Sequence, residues 1–429
     1  MKIKLTAVPP FDRRRFLREV APVLGAPLLA SCSLIDVSET DASRRLTVTQ
    51  NFPSCPIDRV GFVKPVVSLS MGISDFDDSA WRSTPAHGLG ANMMYELLRP
   101  KGDACLDITG RLGRCDAFAD TSIRLRPGSP EAETARYMLK LTTEVSYGMR
   151  IHDSPSQIKP GPDGRWLYFG DGQAMTRQRL LARVRGIVGR ARATADAEGG
   201  VLLVIYLCSH GIIDANGRAW LIPADASGTD SRTWVSFDEV LAPVFDMVGR
   251  DQNPDQARQA IVFFDCCQRI GAVSPSSVRL SDTLPEPPPG VALVSAVSPG
   301  QWAWHFASKM KVVGDVDASK RGLLGIPLPA DEKTGHLDES YSGFMSVFPL
   351  ATRCAMNMAT RGFDAQFGSD STVMEADMTA EEWILEIQRL VAELLENDPV
   401  RRRAGGRQDV QLKLGKPFGP AVLRVLRKA

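Results

Sequence analysis

The chain has 429 residues, 44% of them hydrophobic and 24% charged, with 51 Lys and Arg against 50 Asp and Glu. A formal charge of +1 argues against nucleic acid as a partner, and the apolar content is enough for one large or two ordinary domains. No apolar stretch is long enough to cross a bilayer, and repeats and low-complexity tracts are absent.

At the N-terminus, Asp12-Arg13-Arg14-Arg15-Phe16-Leu17-Arg18 resembles a twin-arginine export signal, and a short apolar run from Val20 to Ala30 follows it. Leu29-Ala30-Ser31-Cys32 is similar to a bacterial lipobox, in which cleavage before Cys32 exposes a thiol for acylation. These motifs predict an exported, periplasmic or cell-envelope lipoprotein held to the membrane by lipid on Cys32. The alternative is a basic amphipathic helix on a cytoplasmic protein. Residues 1–31 are then the signal segment, 32–59 a tether and 60–429 the folded domain. Met1 to Ser31 carries six basic and two acidic residues, so its removal takes the net charge from +1 to −3.

Ala91 to Leu98, apolar at helical intervals, predicts the first helix. Between Gly102 and Pro162 the pattern weakens. Cys105 and Cys115 fall in this Gly- and Asp-containing stretch, read as a loop, and are a candidate disulfide pair in an exported protein. Thr176 opens an amphipathic helix with Leu180, Leu181, Val184, Ile187, Val188 and Ala191 on one face, and Gly199-Gly200 ends it.

Val201 to Leu207 is an apolar strand that runs into Cys208-Ser209-His210-Gly211. Ser236-Phe237-Asp238-Glu239 opens a second helix, running towards Val248. Ile261-Val262-Phe263-Phe264 then runs into Asp265-Cys266-Cys267-Gln268. Uncharged runs of this kind suit parallel strands covered on both faces, and such sheets carry chemistry where strands end. The helix–strand alternation predicts an α/β sandwich. If the two runs are sheet neighbours, His210 and Cys267 meet at one edge across 57 residues of sequence. A free thiol is only a few per cent ionised at neutral pH, so Cys267 needs a base such as His210 beside it. Gly211 lets a backbone N–H approach a substrate oxygen closely; with the N–H of Cys267 it makes a candidate oxyanion hole, and no metal is required.

Leu207-Cys208-Ser209-His210-Gly211, then Gly217-Arg218-Ala219-Trp220-Leu221-Ile222-Pro223-Ala224-Asp225, then Asp265-Cys266-Cys267 resembles, in order, the motifs of the caspase/metacaspase clan of cysteine peptidases. Val63-Lys64-Pro65-Val66-Val67-Ser68-Leu69-Ser70-Met71-Gly72-Ile73-Ser74-Asp75-Phe76 resembles the first strand and following loop of caspase-like domains. The resemblance implies a caspase-like three-layer α/β sandwich with a mostly parallel central sheet and helices on both faces. It also implies a cysteine endopeptidase in which His210 is the base and Cys267, two after Asp265, the nucleophile, forming a thioester with a protein or peptide substrate. Asp265 corresponds to an acid that receives basic residues in metacaspases. The second acid expected near the first helix is missing, Asn92-Met93 standing about where it should be. Cys208 and Trp302 are further candidate substrate-binding residues, the latter within Gln301-Trp302-Ala303-Trp304, where family members begin to line the cleft.

This chain departs from the family after the cysteine. Metacaspases have His-Ser-Gly there, whereas Gln268-Arg269-Ile270-Gly271 delays the glycine by one residue. The departure supports an alternative, a catalytically inactive caspase-like binding module tethered at the membrane. A weaker one is an envelope thiol redox protein built on Cys208, Cys266 and Cys267. No cofactor is expected. Some metacaspases need calcium, for which Asp225, Asp230 and Asp238 are candidate ligands.

The Ser- and Pro-rich segment Ser274 to Gly290, containing Arg279, reads as a loop, and Val291 to Ala296 as the next core strand. Phe306 to Ser342 reads as a long polar insertion, and Gly343-Phe344-Met345-Ser346 resembles the family's entry to a helix. Thr379-Ala380-Glu381-Glu382 is a capping box before a helix striped by Trp383, Ile384, Ile387, Leu390, Val391 and Leu394. Arg401-Arg402-Arg403 reads as a solvated run and Val410 to Leu414 as a late strand.

Overall fold

Five strands, most of them largely apolar, line up side by side and set the frame for everything else. They are seen in a computed structural model that describes residues 36–38, 45–47, 60–74, 76–81, 85–98, 115–125, 159–160, 167–169, 174–214, 216–249, 258–270, 283–304, 346–349, 351–352, 355, 375–397, 407–419 and 421–426. The leader with Cys32, Cys105, Arg279, the 306–342 insertion, Gly343-Phe344-Met345 and Arg401-Arg402-Arg403 lie outside the described residues.

In chain order the strands are β1 (Asp36–Ser38), β2 (Arg45–Thr47), β3 (Val60–Phe62), β4 (Val66–Ile73), β5 (Cys115–Leu125), β6 (Lys159–Pro160), β7 (Leu167–Phe169), β8 (Val201–Ser209) and β9 (Gly211–Ile213). They continue as β10 (Ala219–Leu221), β11 (Val235–Ser236), β12 (Arg258–Cys266), β13 (Arg269–Ile270), β14 (Val291–Ser295), β15 (Glu375–Met378), β16 (Gln411–Leu414) and β17 (Leu423–Leu426). The main sheet has eight strands in the order β16-β14-β12-β8-β4-β5-β7-β6. Its centre, β14-β12-β8-β4-β5, is parallel, and antiparallel strands close both sides. All nine residues of β8 and all eight of β4 are buried, which is why β8 reads as an apolar run and β4 admits only the small Ser68 and Ser70 among its apolar residues.

Among the described residues the sheet is covered by α1 (Pro85–Leu98), α2 (Arg177–Glu198), α3 (Phe237–Val248) and α4 (Ala380–Asn397). On one face the odd-numbered strand residues Leu69, Met71, Leu203, Ile205 and Leu207 and the even-numbered Val262 and Phe264 pack against Leu180, Val184 and Ile187 of α2 and Val240, Leu241 and Val244 of α3. Phe237 stacks on Phe264 with ring centroids 3.9 Å apart. The other face receives α1 and α4: Trp383 is fully buried with its ring edge-on to Phe263 and Phe62. The fold class is therefore α/β, a mostly parallel sheet with helices on both faces.

The helix starts follow local chemistry. Ser236 and Glu239 form a reciprocal capping box at α3, as do Thr379 and Glu382 at α4, where Thr379 N–H donates to Glu382 at 2.8 Å. Thr176 caps α2, and Gly199, at φ 75°, ends it in the left-handed conformation that favours glycine.

Three expectations are corrected. Cys115 opens β5, an eleven-residue strand, and does not sit in a loop; its alternation is masked by Asp116, Asp120 and Arg124, which interrupt an apolar pattern without breaking the period of two. The first helix begins at Pro85, six residues before Ala91, because proline is well suited to a first helical position even when glycines follow. The stretch read as a tether contains the antiparallel pair β1–β2. At its end β3 pairs with β17, which joins Val60–Phe62 to the last strand of the chain.

Candidate active site

Parallel pairing of β8 with β12 places Asp265 opposite Cys208 and Cys266 opposite Ser209. His210 and Cys267 are therefore each the first residue past the same rung, and leave the sheet side by side. The two arms then stay together, since β9 and β13 run parallel with Arg269 opposite Ile212 and Ile270 opposite Ile213. Gln268, expected in a loop delayed by one residue, instead leads into this short strand. It is anchored by its own N–H to the Gln301 carbonyl at 3.1 Å, by its carbonyl accepting from Gly300 N–H at 2.7 Å and by Nε2 donating to Ser295 Oγ at 2.6 Å.

Gly211 is required by close approach. A Cβ there would collide with the Cys267 carbonyl oxygen and stand 2.8 Å from Cys266 Sγ. The backbone of the histidine arm thus lies directly against the cysteine residue. His210 is half-buried among aromatic rings: Phe76 at 4.9 Å, Trp81 at 6.3 Å and His87 at 5.0 Å between centroids.

The three cysteines on these strands differ in chemistry. Cys266 is buried and points to the α2/α3 side; burial, with help from Cys267 and Asp265, pushes its thiol well above the ordinary range. Cys208 is also buried, on the opposite face beside Asp265, and burial followed by the neighbouring carboxylate pushes it up too. Cys267 is the partly exposed one, and its Sγ accepts the Ala303 N–H at 3.4 Å. All three are free thiols.

Asp265 is 1% exposed, and Tyr206 Oη donates to its Oδ2 at 2.5 Å. Among the described residues Oδ1 has no partner at hydrogen-bonding geometry, Ser346 and Cys208 lying near the carboxylate without meeting it. Burial raises the Asp265 carboxyl to about 6, against the opposing pull of Ser346, Tyr206 and Cys208. The Tyr206 hydroxyl lies under α1 at Gly90, where a Cβ would stand 2.9 Å from it and 3.7 Å from the Ser346 Cβ. Gly90 is thus one residue of α1 that faces this cluster. The side chains of Asn92 and Met93 lie outside the described residues.

Trp302 is 44% exposed, next to Ala303 and so to the thiol. Trp304 is braced by Gln408 Oε1, which accepts its N–H at 2.8 Å, and by Arg407, whose carbonyl accepts from Nε1 at 3.1 Å. The three acids considered for calcium sit on separate local features. Asp225 accepts from Arg177 N–H at 2.7 Å, Asp230 caps a short 3-10 turn and pairs with Arg232, and Asp238 sits in the first turn of α3. Cys32 and Cys105 lie outside the described residues. Sequence reasoning missed His87, Tyr206 and Ser346, each brought in by packing between distant segments.

No protein-family model matches the chain, and no curated protein matches it. Among solved structures it is similar to caspase-1 from Spodoptera frugiperda, at 11% identity over 88% of this chain and 97% of that one, with a TM-score of 0.38. A structure titled pro-sf-caspase-1 matches at 10% identity over 90% of this chain and 96% of that one, with a TM-score of 0.35. The strand order and register described above carry the fold assignment independently of this likeness.

Proposed function

We propose that the protein is a cysteine endopeptidase of caspase/metacaspase type. The observation that carries this is the shared rung at the ends of β8 and β12, which sends His210 and Cys267 out together with Gly211 pressed against the Cys267 carbonyl. In this reading His210 takes the Cys267 proton, and the thiolate attacks the scissile carbonyl carbon. The N–H groups of Gly211 and Cys267 receive the oxyanion. The His210 imidazolium then protonates the departing amine, leaving a thioester on Cys267; water, deprotonated by His210, hydrolyses it and frees the thiol.

Asp265 supports a preference for Arg or Lys before the cut. Its Oδ1 is what a guanidinium or ammonium satisfies, beside the Tyr206 hydroxyl that stays on Oδ2. Cys208 lies beside Asp265, and the exposed Trp302, next to Ala303, would meet the substrate backbone or a neighbouring side chain. The leader motifs support an exported, lipid-anchored location through Cys32.

One observation favours the non-catalytic alternative, a tethered module that binds peptides without cutting them: the chain after Cys267 forms β13 rather than a glycine turn. Fluorogenic peptides ending in Arg, Lys, Asp or an apolar residue distinguish the two, assayed with the full chain with and without calcium. Turnover is expected, fastest after Arg or Lys. Absence of turnover on every peptide would favour the binding module.

A further inference from the structure

His87 is a buried histidine packed against His210 that the scheme above leaves without a role. It is 4% exposed, and its Nδ1 lies 2.6 Å from the Ile73 carbonyl oxygen. A carbonyl only accepts, so Nδ1 carries the proton. The first turn of α1 is held on the end of β4 by two further features. Gly88 N–H donates to Ser74 Oγ at 2.8 Å, and Gly72 has no room for a Cβ, which would collide with the His87 carbonyl and stand 2.7 Å from Gly88 Cα. The result is a fixed imidazole whose ring is perpendicular to that of His210, at 89° with centroids 5.0 Å apart, while Phe76 covers both.

We propose that His87 is the positioning residue for His210. Anchored through Nδ1 to Ile73, it seats the His210 ring at the end of β8 and remains neutral, so that His210 can hold the proton of Cys267. Two imidazolium rings this close repel, so a charged His87 would oppose formation of the thiolate–imidazolium pair. Of the described titratable groups on neighbouring segments, His210 and Cys267 come from the ends of β8 and β12; in the loop after β4, Asp77 is exposed and Asp78 accepts N–H bonds from Gly228 and Ala80.

The proposal rests on the reading of His210 and Cys267 as a reacting pair, and its test separates the two. The rate of iodoacetamide alkylation at Cys267, mapped by mass, is followed against pH in the full-length wild type, His210→Ala, His87→Phe and His87→Asn. The wild type is expected to react through a limb below the ordinary thiol range that His210→Ala lacks. In His87→Phe the reaction at pH 6.5 falls about tenfold, equivalent to one unit in the thiol's titration. His87→Asn, whose amide can donate to Ile73 from the place of Nδ1, returns to within about threefold of the wild type.

A wild-type profile in folded His87→Phe, or no recovery in His87→Asn, would overturn the proposal while leaving the pair intact. Identical profiles in wild type and His210→Ala would overturn both. Nitrogen-15 histidine spectra of the wild type need no variant to fold. His87 is expected to stay in the neutral Nδ1–H form across the limb, and double protonation there would contradict the proposal.

Discussion

Cys267→Ala is expected to reduce peptide hydrolysis by more than about a thousandfold, because the thioester has no other place to form. Cys266→Ala is expected to lose less than about tenfold, since Cys266 contributes packing beneath Gly211 and no nucleophile. The two thiols are sequence neighbours, so the contrast tests the strand geometry directly. Alternation along β12 sends Cys266 into the α2/α3 core, where burial keeps it protonated, and leaves Cys267 as the first residue beyond the strand. Peptide turnover by both variants, with folding checked by circular dichroism, decides it. Equal losses would mean that the two thiols are not distinguished in this way.

Asp265→Asn is expected to change stability and selectivity together. The folded carboxyl sits at about 6, raised from about 3.9 in the unfolded chain by burial. The folded state therefore holds a proton that the unfolded state releases between about pH 4 and 6, and stability falls as pH rises through that window. Two units correspond to about 3 kcal/mol, an upper bound on what the neutral amide recovers at pH 7 before any cost of placing its NH2 group. Urea midpoints at pH 4 and pH 7.5 are expected to diverge in the wild type and converge in Asp265→Asn. The same substitution is expected to slow cleavage after Arg or Lys by about a hundredfold, through loss of a charge-assisted pair. An unchanged pH dependence would show that this carboxylate is not the group responsible.

The parts of the fold most legible in the sequence were those whose environment is uniform. Strands β8, β12 and β14 are covered on both faces, so no polar alternation interrupts them, and Ser236 and Thr379 announce their helices through contacts three residues away. Strand β5 was hidden because Asp116, Asp120 and Arg124 share it with apolar positions. That His210 and Cys267 follow the same rung could be read from two strand ends once those strands were taken as neighbours. Their surroundings could not: His87 reaches His210 only because Gly72 admits the first turn of α1, and Tyr206 reaches Asp265 across 59 residues of sequence. Gln268 gave an ambiguous signal, since a one-residue delay of a glycine does not by itself predict a strand paired to β9.

The most direct measurement is covalent trapping. The full chain is incubated with a peptidyl acyloxymethyl ketone carrying Arg at the reacting end, and the adduct is located by mass. The account expects one adduct per chain on Cys267, absent in Cys267→Ala and formed much more slowly in His210→Ala. An adduct on Cys266, none on Cys267, or the same rate without His210 would contradict it.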